Sequence, residues 1–111
     1  MSDTAQAWLA AWRAAAPPSL AAVVDEAVTA SGDDTGDTVA ALSAAAVLCL
    51  RDALRIGDDR AAALHLLAAD ALITAACETV AGTERALEEL ATRFSAERLG
   101  TLFREELSSK A

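Results

Sequence analysis

The chain has 111 residues, 54% of them hydrophobic but only 4% aromatic, with a formal charge of −8 and a pI near 4.4. This length predicts a single domain, residues 1–111, large enough to bury a core without metals or disulfides. The acidity disfavours nucleic acids and anionic membranes as partners, since phosphates are repelled at long range, and two cysteines, Cys49 and Cys77, are too few for a disulfide scaffold.

The first residues, MSDTAQAW, lack the basic and apolar regions of a signal peptide. The longest apolar run, Val39–Leu50, is 12 residues, short of the ~20 that span a bilayer. The expectation is a soluble, cytoplasmic protein. Ser2 or Asp3 caps a first helix that carries Ala5, Trp8, Leu9 and Trp12 on one side. Pro17-Pro18 ends it, because proline disfavours helix in the residue before it. Helix two begins at Ser19 or the prolines, with Leu20, Val23, Val24, Ala27 and Val28 as its apolar set.

Ser31–Asp37 (SGDDTGD) reads as a loop, with Asp37 or Thr38 capping helix three. It lacks the alternating acids of a calcium-binding EF-hand loop. Helix three covers Thr38–Ile56; Val39, Leu42, Ala46, Cys49, Leu50 and Ala53 recur on one face, and Arg51, Asp52 and Arg55 on the other. Gly57 suits the position just after a helix, and Asp58 or Asp59 caps helix four, expected over Arg60–Ala81. So short a turn forces helices three and four to run antiparallel. Thr83 caps helix five, where Leu87, Leu90, Ala91 and Phe94 share a face. The next apolar set, Leu99, Leu102, Phe103 and Leu107, is out of phase with it, and Ser95 is a candidate N-cap. The fold class is therefore all-α: a bundle of five helices, six if the break at Ser95 is complete, around the helix three–four hairpin.

Helix four is apolar almost all the way round. Asp70, Thr74 and Glu78 form one narrow polar stripe. The only histidine, His65, lies on the opposite side with Ala62, Ala69, Leu72, Ile73 and Val80. Such a helix is central in a bundle or buried between subunits. With a core built largely of alanine, this favours a homo-oligomer or a complex with another helical protein. Counting outward from the turn puts Cys49 level with His65 or Leu66, so Cys49 and His65 could meet; alone they supply neither a zinc site nor an activated nucleophile. Cys77 falls roughly 15 Å further along, too far for a bridge to Cys49. His65 is expected to face helix three, largely buried, with a ring nitrogen on a backbone carbonyl or a hydroxyl, because no acid of its own helix shares its face. Arg51, Arg55 and Arg60, interleaved with Asp52, Asp58 and Asp59, read as a solvated ion-pair network. Trp8 and Trp12 read as core or interface residues. No cofactor motif and no metal-ligand set stands out.

The segment RDALRIGDDRAAALHLLAADALITAACE resembles the hairpin of HEPN (higher eukaryote and prokaryote nucleotide-binding) helical bundles, and is similar to small archaeal helical proteins of unknown function with the same turn. HEPN ribonucleases carry an arginine followed by four to six residues and a histidine, and Arg60 and His65 fit that formula. The resemblance implies an RNA-cleaving pair, with Arg60 stabilising phosphate charge and His65 transferring protons in a dimer. Here Ala61 stands where the family has a polar residue, and the family places its motif in a later helix. LLAADALITAACE also resembles a core helix of isoprenyl diphosphate synthases, but the aspartate-rich metal motifs are missing. The reading from the residues is a protein that acts by self-association or partner binding; the RNA-cleaving or nucleotide-associated module is the alternative.

Overall fold

The computed structural model describes residues 3–31, 38–57, 59–80 and 84–110, and these form six helices with no strand among them. They are α1 (Asp3–Ala15), α2 (Pro18–Ser31), α3 (Thr38–Ile56), α4 (Arg60–Val80), α5 (Glu84–Arg93) and α6 (Ala96–Lys110). The fold is the expected all-α bundle, with the break at Ser95 complete.

The boundaries follow local chemistry. The carbonyl of Pro17 accepts from the amides of Leu20 and Ala21 at 3.1 and 3.0 Å, starting α2 with proline at its first helical position. Gly57 takes φ +94° while its amide donates to the Ala53 carbonyl, the left-handed ending that a side chain resists. Asp59 then accepts the Ala62 amide at 3.1 Å and caps α4. At the second break, Ser95 Oγ accepts the Arg98 amide at 3.2 Å, a cap that restarts the chain as α6. Ser2, Asp37, Asp58 and Thr83, each considered above for a cap, lie outside the described residues.

The α3–α4 hairpin has the most extensive interface in the molecule. It is sealed by alanines: Ala45, Ala46, Ala68, Ala69, Ala75 and Ala76 are fully or almost fully buried around Leu42, Cys49 and Leu72. Small side chains let the two helices approach closely, and what each alanine lacks in buried area is supplied by layers added outside. α2 lays Leu20, Val24 and Ala27 across both helices. α1 covers α4 with Ala5 and Leu9, while Trp8 and Trp12 stack with centroids 6.4 Å apart. Arg13 pairs with Asp25 to join α1 to α2.

α4 is the central helix, touched by α1, α2, α3 and α5. This corrects the reading of apolar length in the sequence: α4, with 21 residues and a window of mean hydropathy 1.4, is long and apolar enough to cross a membrane by length and composition. Asp70 near its middle and helices of its own chain on several sides are the pattern of a bundle core. Its outward stripe holds Asp70, Thr74 and Glu78 as expected, and also Leu66 and Leu67, 53% and 54% exposed.

α5 and α6 depart most from the sequence reading. Leu90 and Leu102 are buried, but Leu87, Phe103 and Leu107 are exposed. α6 turns Glu106 inward in their place, because α3 presents two arginines to it.

Candidate functional site

His65 and Cys49 do come together. Both line a cavity of about 130 Å³ between α2, α3 and α4, with Glu26 and Asp52 on its wall. His65 Nδ1 lies 2.8 Å from the Ala61 carbonyl, one turn back, which is the expected kind of partner. The ring is more open than expected, 21% exposed, and an acid is close after all: Asp52 Oδ2 stands 3.9 Å from Nε2. The acid comes from α3, across the hairpin, which a search along α4 alone does not see.

Burial pushes the Cys49 thiol up to about 11, and the neighbouring Asp52 carboxylate acts in the same direction. At neutral pH Cys49 is a thiol, not a thiolate, and so a poor nucleophile and metal ligand. Cys77 is exposed, and both cysteines are free. Among the described residues no group of three metal-ligating side chains converges.

Arg60 is exposed at the start of α4. Five residues of helix separate it from His65 by about 140° around the axis, so within one chain the two project in different directions.

Of the solvated network expected with the neighbouring aspartates, the described residues hold the pair Arg55–Asp52, and Arg51 and Arg55 also engage an acid outside it. Both turn to Glu106 of α6, whose side chain is only 10% exposed. Arg55 spans the carboxylate, Nε donating to Oε2 at 3.2 Å and Nη2 to Oε1 at 3.4 Å. Arg55 keeps Asp52 at 3.9 Å, and Asp58 lies outside the described residues.

A larger concavity lies elsewhere. A groove of about 1010 Å³ runs along α3 between the end of α2 and helices α5 and α6. Its floor is one stripe of α3, Ala40, Ser43, Ala44, Val47 and Arg51, recurring every three or four residues. Arg93 of α5 and Arg98 of α6 face Arg51 across it, where the groove meets a second recess of about 670 Å³ that runs toward Leu102.

Two polar atoms here are buried without a hydrogen-bond partner: Ser43 Oγ, on a residue only 3% exposed, and Arg51 Nε. A buried hydroxyl costs ~1–3 kcal/mol unless something meets it; Arg51 Nε has the Glu106 carboxylate 3.6 Å away. Arg93 and Arg98 form no side-chain ion pair among the described residues. Glu88 and Glu89 flank the α2 end of the groove, and Glu97 and Glu105 the far recess.

The sequence reading missed this site. Its arginines come from three helices, and Ser43 lies within an apolar run. The one available signal was the Ser43–Val47–Arg51 stripe, offset from the core face of α3.

Compared with protein-family models, curated proteins and solved structures, the chain matches none of them. Function is therefore argued from geometry.

Proposed function

We propose that this protein is a cytoplasmic binding module, working by association with another helical protein and not by catalysis, and that its binding face is the groove between α3, α5 and α6. The observation that carries the reading is the convergence of Arg51, Arg93 and Arg98 from three helices on one groove, Arg93 and Arg98 holding no side-chain ion pair among the described residues. A surface that completes itself by binding has this character, with satisfaction deferred to the partner. The other chemically suggestive pair, Cys49 and His65, joins a protonated thiol to a ring engaged by its own helix.

A second reading, self-association, is favoured by the adjacent exposed leucines Leu66 and Leu67 on α4. It works against the repulsion between two chains of charge −8.

One experiment separates the two. A photo-crosslinking amino acid replaces Ala44 on the groove floor or Leu66 on α4, in living cells. The proposal expects a discrete adduct with a different protein from position 44. An adduct of twice the chain's mass from position 66, with none from position 44, supports self-association instead.

A further inference from the structure

The groove specifies its occupant more closely than "a protein". Its α3 stripe from Ala40 to Arg51 rises about 16 Å, three turns of helix. Ala40, Ala44 and Val47 are small enough for another helix to sit close, at the 8–10 Å axial separation of packed helices. At about 1010 Å³ the groove reaches the top of the range that small molecules fill, before the recess beyond it is counted.

The charges are ordered along it. Arg51, Arg93 and Arg98 form the waist shared by the two recesses; Glu88 and Glu89 lie only on one side of that waist, Glu97 and Glu105 only on the other. A nucleic acid, uniformly negative, would meet glutamates at both ends. A small anion would answer the waist alone.

We infer that the occupant is an amphipathic helix of a partner protein, with acidic residues in its central turn and lysine or arginine about two turns to either side. This rests on the reading of the groove as the binding face. The central carboxylate pairs with Arg93 and Arg98, which hold no side-chain ion pair among the described residues, beside the Arg51 side chain, 41% exposed, a charge-assisted contact in a partly desolvated place. The remaining apolar face lies on Ala44 and Val47, the helix-in-groove mode of recognition.

The test uses labelled synthetic peptides of about four helical turns, rich in alanine and leucine. One has a central glutamate pair flanked by lysines; the other has the two charge types exchanged. Fluorescence anisotropy with the full chain is expected to show the acidic-centre peptide binding at least about tenfold more tightly, about 1.4 kcal/mol, and the double variant R93E/R98E reversing the order. Both arginines are exposed, so the variant should fold, and circular dichroism checks that it does. Equal affinities, absent binding, or a preference unmoved by R93E/R98E overturns the inference. A crosslink adduct at position 44 alongside indifferent peptides rejects this occupant and leaves the binding reading standing; with neither adduct nor peptide binding, both fall.

Discussion

Arg51 Nε lies 3.6 Å from Oε1 of Glu106, close enough for attraction and too far for a hydrogen bond. Arg55 already holds both oxygens of that carboxylate. One acid of α6 thus serves two arginines of α3 unequally: it anchors the last helix through two hydrogen bonds from Arg55 and holds the buried Nε of Arg51 by charge alone.

Glu106→Ala is expected to destabilise the protein by about 1–2 kcal/mol, the lower part of the range for charged hydrogen bonds, because Arg55 is well exposed. The loss should be local. Hydrogen exchange would show α6 amides losing protection while the α3–α4 hairpin keeps it. Uniform loss across both would mean that α6 is part of the cooperative core.

The two thiols should behave oppositely. Cys77 is expected to react promptly with a thiol reagent at neutral pH, and Cys49 only on unfolding. Cys49 also predicts a pH dependence. Its pKa is raised from 9.0 to about 11 on folding, so the folded chain keeps a proton that the unfolded chain releases. The stability it contributes is complete below pH 9 and is lost as pH rises toward 11. Denaturant midpoints measured across that window should fall for the wild type and fall less for Cys49→Ala.

His65→Leu should be tolerated within about 1 kcal/mol, since the ring bonds only to a carbonyl of its own helix. His65→Asp would place a third carboxylate beside Glu26 and Asp52 and should cost about 1–3 kcal/mol. The RNA-cleaving alternative makes a different demand: wild-type protein must cut single-stranded RNA, and Arg60→Ala and His65→Ala must each abolish cutting. The binding account expects the RNA to remain whole.

The hairpin turn offers a check on the fold. Gly57 sits at φ +94° with open space where a Cβ would go, so Gly57→Ala should cost about 1 kcal/mol from backbone conformation alone. Asp59→Ala, which removes the α4 cap, should cost about as much. Thermal melts of the single variants would measure both.

These contrasts explain what could be read in advance. The first four helices were legible because the first three each have one apolar stripe, the fourth is apolar nearly all round, and strong stops or starts bound them: Pro17-Pro18, Gly57, Asp59. Ser95 was legible as a cap. The faces of α5 and α6 were not, because Phe103 and Leu107 look like core while Glu106 does not, and only the arginines of α3 reverse that order. The position of His65 facing α3 followed from counting along the hairpin, but its acid neighbour Asp52 belongs to the other helix. The groove gathers Ser43, Arg51, Arg93 and Arg98 from three helices, a convergence set by tertiary packing that no local spacing encodes.

The central claim is that Arg93 and Arg98 receive their acceptor from a bound partner, and the arginine Nε–Hε resonances report on it directly. On titrating the full chain with the acidic-centre peptide, the Arg93 and Arg98 Hε signals are predicted to shift downfield and exchange more slowly with water, and Arg60, exposed at the start of α4, to stay in place. Unmoved Arg93 and Arg98 Hε signals with shifts confined to the amides around Leu66 and Leu67 would contradict the account.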